Sequence, residues 1–304
     1  HRIVVLADAS RTGQAALDWA AKACRGAAAD GGNRIRHYRP PGATDTGNYT
    51  HAARGAALLQ ALEQGTLRLL FQPVVSLHGL TTPMYRAMPS MAVNDEEALT
   101  GEDLLTVAED HHLAGRLDQW TLEQVLGHLA TERARLDRTL FLVQLTDEVM
   151  ANQDLVLALG KRLRAHGLEA GRLVLEVSET AAVTRIKSAR AFSAGVHQFG
   201  CGIAVAYFGS GLKPFKLLEH VAAEYLVLDE SFVRDLLSSE ASRRSVEDMH
   251  REARERGRFT IAPGVGDANT LALLWQCGVD YAAGDYLQEP APEMTFDFSA
   301  SEQL

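Results

Sequence analysis

The sequence predicts an α/β fold, a (β/α) barrel, from three observations. Short apolar strands alternate with helical segments from about Thr50 onward. Whole helices separate most of those strands, which implies a parallel sheet. The alternating stretch runs for about 250 residues, which suits a closed barrel better than the rival, an open doubly wound sheet. The ligand mouth of such a barrel lies at the C-terminal ends of its strands.

Arg2–Asp8 reads as a strand and Thr12–Asp30 as an Ala-rich helix carrying Leu17 and Trp19. Gly31-Gly32 stops that helix, and Asn33–Tyr38 resumes as a strand. The Pro-, Gly-, Asp- and Thr-rich stretch from Pro40 to Asn48 reads as a linker. A strand–helix–strand this small does not fold well alone. Residues 1–40 are therefore expected to be the C-terminal remnant of a preceding domain, 41–51 a linker and 52–304 the barrel, in a fragment of a longer protein.

Within the barrel, a helix is expected over Ala52–Gln64, then strands over Leu67–Val75 and near Tyr85–Met88. Helices follow at Gly101–Asp110 and Leu117–Arg133, then a strand at Leu140–Leu145. The helix Asp154–Ala165 leads to the strand Leu173–Val177, and the helix Ala181–Gln198 to the strand Gly202–Ala206. The helix Pro214–His220 precedes the strand Tyr225–Leu228, and helices within Ser231–Arg256 precede the strand Phe259–Ala262. The helix Ala268–Cys277 and the strand Tyr281–Ala283 complete the series.

Composition narrows the function classes. The 304 residues are 46% apolar and 23% charged, an ordinary globular balance. A net charge of −9 argues against a nucleic-acid surface, which would need basic stripes. No apolar run is long enough for membrane insertion. Cys24, Cys201 and Cys277 are scattered and odd in number, as expected of reduced thiols in a cytoplasmic protein. The stretch Phe199–Gly211 is the most telling: it reads as a buried strand followed by a Gly-Ser-Gly loop. Its last strand positions are Ala206 and Tyr207, and neither side chain binds a metal or moves a proton at neutral pH.

Four stretches, Leu70–Leu77, Leu175–Glu179, Phe208–Gly211 and Leu226–Val233, together resemble the EAL family, the cyclic di-GMP phosphodiesterases with a TIM-like (β/α) barrel. The Ala-rich helix before Gly31-Gly32-Asn33-Arg34 resembles the end of a GGDEF domain. Leu212–Phe215, Gly284–Gln288 and the tail Met294–Phe298 narrow the resemblance to the FimX type, degenerate GGDEF–EAL proteins linked to type IV pili.

The resemblance implies a two-metal site in active members, built mainly from carboxylates. Carried over position by position, its signature Glu-Ala-Leu falls on Arg86-Ala87-Met88, and the Arg that follows falls on Ser90. A slip of one residue puts Tyr85 at the Glu position, which is equally inert. The strand-end Asn is Gln144, one Glu persists as Glu176, and the paired Asp residues are Ala206 and Tyr207. A Lys is replaced by Val227, a Glu by Pro263 and a late Gln by Ala283. No metal and no hydrolysis are expected from that set.

Cyclic di-GMP binding is still expected. Phe71, Gln72 and Pro73 end the first strand, Met88 is placed against a base, and Tyr207 and Phe208 offer stacking planes. Gly209 and Ser210 offer backbone N–H groups to a phosphate, while Glu176 and Asp229 accept from a guanine edge. Ser90, Gln144 and Pro263 complete the expected contact set. Each has a structural alternative: Phe71 and Met88 as core filler, Glu176 as the partner of Arg86, Glu179 as a structural carboxylate, Lys213 and Lys216 as solvated charges. The resemblance implies a cyclic di-GMP receptor that signals through a PilZ-type adaptor protein to type IV pilus assembly and twitching motility. The alternative is an interaction scaffold that needs no nucleotide.

Overall fold

The computed structural model describes residues 51–299, apart from 81, 95–96, 133–135, 137 and 169. The remnant domain expected over 1–40 and nearly all of the linker expected over 41–51 lie outside the described residues.

Helix α1 (His51–Gln64) leads into β1 (Arg68–Pro73), and after Val74 the chain continues as β2 (Val75–Ser76). Strand β3 (Met84–Ala92) turns back into β4 (Ala98–Thr100), and α2 (Glu102–Asp110) and α3 (Ala114–Thr131) precede β5 (Leu140–Gln144). A 3-10 turn (Asp147–Ala151) and α4 (Gln153–His166) lead to β6 (Leu173–Ser178). Helices α5 (Glu179–Thr184) and α6 (Ile186–Gln198) lead to β7 (Gly202–Phe208), and a second 3-10 turn (Pro214–Glu219) to β8 (Tyr225–Leu228). Helices α7 (Glu230–Arg234) and α8 (Glu240–Glu255) precede β9 (Phe259–Ala262), and α9 (Ala268–Gln276) precedes β10 (Tyr281–Ala282).

The strands form one sheet in the order β1-β3-β5-β6-β7-β8-β9-β10-β2, with β4 paired to β3. Because β1 and β2 are one chain segment interrupted at Val74, the two ends of this order meet and the sheet curls into a nearly closed barrel. From β3 round to β10 every pairing in the ring is parallel. The first stave departs from the expected parallel arrangement: β1 is antiparallel to β3, and β2 to β10. The reason is chain length. Only residues 77–83 join β2 to β3, too few for the crossover that a parallel pair requires. The hairpin partner β4 was also not anticipated. Its turn is marked by Asn94, whose side chain accepts the Glu97 N–H at 2.8 Å.

The alternation of side chains along each strand builds two cores. Outward residues and the helices form the larger one, with Phe71, Phe141, Leu173, Ile203 and Leu226 among its wholly buried members. Inward residues form a smaller one inside the barrel, including Met84, Leu142, Val174, Ala204, Val227 and Ile261. Tyr225, Phe259 and Tyr281, at the starts of β8, β9 and β10, plug its floor with ring centroids 5.6–6.2 Å apart. Near the mouth, Gly284 lies so close to the Val265 backbone that an added Cβ would sit 2.2 Å from its nitrogen. Only glycine fits there, and the contact fixes the loop that leaves β10.

This alternation corrects two expected ligand contacts. Phe71 and Pro73 belong to the outward set, directly opposite Ala87 and Tyr85. The Phe71 ring meets His128 of α3 edge-on at 5.1 Å and Phe141 at 6.0 Å, with no exposed surface. It faces the helices, not the mouth. Phe71→Ala is therefore expected to cost about 3–5 kcal/mol of folding stability, as buried Phe truncations do. Urea denaturation of the variant checks this.

Candidate binding site at the barrel mouth

At the C-terminal ends of the strands the inward row reads Gln72 on β1, Arg86 and Met88 on β3, Gln144 on β5, Glu176 on β6 and Ala206 on β7. Val227 on β8 and Ala283 after β10 continue the row, and Pro263 follows β9. The centre of the row is a bidentate ion pair. Arg86 Nε donates to Glu176 Oε2 at 3.0 Å, and Arg86 Nη2 donates to Glu176 Oε1. The pair spans from β3 across β5 to β6. Glu176 is 2% exposed and Arg86 16%. Burial works against the Arg86 charge, yet the charge and hydrogen bonds of Glu176 together hold its pKa above the ordinary value.

Neighbouring groups shape the space around this pair. Gln72 donates from Nε2 to Asp285 Oδ1 at 3.1 Å and to the Gln288 carbonyl at 3.3 Å, which ties β1 to the loop after β10. Gln144 is 5% exposed, and its Oε1 is buried with no hydrogen-bond partner. Met88 and Gln144 both approach Gly101 at the start of α2. Ser90 is buried and accepts from Thr100 Oγ1 at 2.9 Å, so the expected ligand contact is engaged within the β3–β4 hairpin.

Strand β7 is bulged where it reaches the mouth. Val205 pairs with Leu226 and Phe208 with Leu228, so β7 spends one residue more than β8 over the same span. Tyr207 absorbs the extra residue at φ 55°, a left-handed conformation that costs a non-glycine residue about 1–3 kcal/mol. Both Ala206 and Tyr207 then join the inner core. Burial, and next the charge of Glu102, push the Tyr207 phenol well above its usual pKa, so it stays neutral and donates to the Glu102 carboxylate. The bulge also turns Phe208 outward, against Phe215 at 5.0 Å and away from any ligand in the mouth, which corrects the expected stacking role.

The Gly209 N–H, expected to meet a phosphate, donates instead to Glu179 Oε2 at 2.7 Å. The backbones of Gly211 and Ser210 also hydrogen-bond to Glu179. An added Cβ on Gly211 would lie 2.3 Å from that carboxylate. Burial raises the Glu179 pKa, and these N–H groups oppose the rise. Glu179 thus has the structural role that was its alternative reading. Asp229 caps α7, its Oδ1 accepting from the Ser231 N–H at 2.9 Å and from the Ser231 hydroxyl. Sequence reasoning missed Leu70, which stands opposite Met88 on the inner face; its two-residue offset from Gln72 was the available signal. It also missed Glu102 and Asp285, which lie on loop and helix ends with no periodicity to mark them.

A second shell of acids steadies the mouth. Asp118 accepts the Thr146 N–H at 2.8 Å and its hydroxyl at 2.7 Å, and Glu109 accepts the Asp147 N–H at 2.6 Å. Asp147 in turn accepts from the Ser178 hydroxyl at 2.9 Å. These bonds join the segments just beyond Gln144 and Glu176. Burial raises the Glu109 and Asp118 carboxyls to about 7 each.

The solved structures most like this fold include the FimX EAL domain of Pseudomonas aeruginosa bound to c-di-GMP, at 32% identity and TM-score 0.74 over 81% of this chain and 99% of that one. The Xanthomonas citri FimX EAL domain in complex with c-diGMP matches at 27% identity and TM-score 0.73, over 82% of this chain and 97% of that one. Among curated proteins, the cyclic di-GMP phosphodiesterase PdeF of Escherichia coli K12 is 26% identical over 235 residues, covering 77% of this chain and 31% of PdeF. The chain spans about a third of the length of such curated relatives. The family model for the EAL domain matches residues 56–290.

Two outcomes are expected. Removing one member of the buried pair, by Glu176→Gln or Arg86→Met, should cost about 3–5 kcal/mol, while the two together recover much of the loss; a denaturant double-mutant cycle measures both. An acid whose folded-state pKa is raised contributes stability that is complete below its ordinary value and lost as pH rises through the folded one. The unfolding free energy should therefore decline between about pH 4.5 and about pH 7, and Asp118→Asn should flatten that decline in urea titrations run across the range.

Proposed function

We propose that this chain, which belongs to the EAL domain family, is a receptor that holds cyclic di-GMP in its barrel mouth without hydrolysing it. The observation that carries the reading is the Arg86–Glu176 pair. The resemblance places a metal-binding carboxylate at position 86, and a guanidinium stands there instead. A pair of divalent cations needs several hard oxygen ligands in near-octahedral array. On the inner row Glu176 is the one carboxylate, and both its oxygens already accept from Arg86; the nearby Glu102, at the start of α2, accepts from the Tyr207 phenol. Ala206, Val227 and Ala283 supply no donor. The residues present do not fit the metal pair.

What the mouth offers suits an anionic dinucleotide. Arg86 supplies fixed positive charge, and Gln144 and the neutral Tyr207 supply polar groups beside it. Leu70 and Met88 supply an apolar wall for a base. The likeness to FimX EAL domains solved with c-di-GMP supports the ligand. From the resemblance in the sequence to the FimX type, we take the protein to act in the cytoplasm and to pass the bound state to a PilZ-type adaptor that regulates type IV pilus assembly and twitching motility. Among the described residues no helix is long and apolar enough to cross a membrane.

Calorimetric titration with cyclic di-GMP in EDTA should saturate, and adding Mg²⁺ should leave the affinity unchanged. Arg86→Met combined with Glu176→Gln, which removes the charge without stranding a partner, should weaken binding about tenfold or more. A flat titration of the native chain, or linear pGpG appearing in proportion to added Mn²⁺, would defeat the reading.

A further inference from the structure

A groove of about 520 Å³ lies on the flank of the barrel, between the 3-10 turn Pro214–Glu219 and the C-terminal end of α8. We propose that it docks an acidic peptide segment with apolar anchors, carried by a protein partner. This inference does not rest on nucleotide binding in the mouth.

Charge is the first argument. Four cations, Lys213, Lys216, Arg256 and Arg258, line the groove against two carboxylates, Glu219 and Glu252. Four minus two leaves two positive charges in a chain whose net charge is −9. Only one of the four is neutralised locally, Arg256 donating to Glu252 at 2.6 Å. Among the described residues no ion pair forms at Lys213, Lys216 or Arg258, and the Arg258 Nε–H is buried with no acceptor. Lys213 and Lys216 are exposed, so a carboxylate entering the groove finds two unpaired ammonium donors.

Surface shape is the second. Leu212 stands fully exposed on the rim, 104% by relative area, beside the partly buried Phe215 and Leu218. The Phe215 ring is already covered by Arg256, whose guanidinium carbon lies 5.3 Å from its centroid. A nucleotide base meets a Phe215 ring already contacted by Arg256 and Phe208, whereas aliphatic side chains of a peptide find Leu212 and Leu218. The platform is also held in place beforehand: Glu179 grips the loop from Gly209 to Gly211, and Pro214 opens the 3-10 turn. Preformed loops lose less entropy on binding.

The probe is a short fluorescein-labelled peptide of Glu and Asp interspersed with Leu, titrated into the 304-residue chain by polarisation, with a Lys-for-acid version as control. The acidic peptide should saturate and weaken with added salt, and the basic one should not bind. Lys213→Glu with Lys216→Glu should cut affinity about tenfold or more, and Leu212→Ser should weaken it with no change in melting temperature, since Leu212 packs on nothing. Excess cyclic di-GMP should not displace the peptide. Failure of the acidic peptide to bind, equal binding to the charge-reversed variant, or full displacement by low concentrations of pyrophosphate would each overturn the proposal, the last by marking a small-anion site.

Discussion

The ion pair between Arg86 and Glu176 is the constraint to which the rest of the mouth answers. Two charges removed from water on the inner face of a barrel are tolerated only in good geometry with their bonds satisfied. Here the bidentate contact meets that condition and fastens β3 to β6 across β5. A charge introduced alone at either position would be stranded. A guanidinium at 86 is therefore compatible with this fold because Glu176 remains, and Glu176 is compatible with the missing acids around it because the guanidinium is there.

Around that pair the sequence has removed bulk and charge together. Ala204, Ala206 and Ala283 line the inner face with small apolar groups, and the floor below is plugged by Tyr225 and Tyr281. The mouth is thus a cup whose polar character comes from few groups: Arg86, Glu176, Gln72, Gln144 and Tyr207, with the carboxylates of Glu102 and Asp285 beside them. The β7 bulge places the last of these. Without the extra residue, strict alternation would send Tyr207 outward with Val205 and bring Phe208 in. The positive φ at Tyr207 is the local cost of presenting a neutral phenol to the cup.

Much of the architecture was legible in the chain. Strand and helix alternation pointed to the barrel, and the family resemblance, carried over position by position, set Arg86, Gln144 and Glu176 on strand ends that the fold brings to one row. What failed did so for identifiable reasons. Phe71 and Pro73 close the first strand and so read as reaching the mouth, but a period of two sends them to the other face. Phe208 was misassigned because a bulge changes parity at one residue, and no pattern in Ala-Tyr-Phe-Gly reveals where. Gly209 and Ser210 read as a phosphate cradle from composition alone, while the competing acceptor, Glu179, lies about thirty residues earlier and becomes a neighbour only in the fold. The antiparallel first stave was available from the short link at 77–83, which leaves no room for a crossover.

The geometry of Arg86 decides how an anion would be held. A phosphate that competed with Glu176 would break the buried pair and leave a carboxylate unpaired at a cost of several kcal/mol. A guanidinium has five N–H groups, however, and Glu176 engages one on Nε and one on Nη2. The second Nη2 hydrogen and one Nη1 hydrogen form the end of the guanidinium, away from the Glu176 edge. A phosphodiester taking that end leaves the pair intact. Glu176 then acts as a fixed counter-charge that orients Arg86, so the donor is held in position before ligand arrives. Ligand binding on this account requires no rearrangement of the barrel's centre.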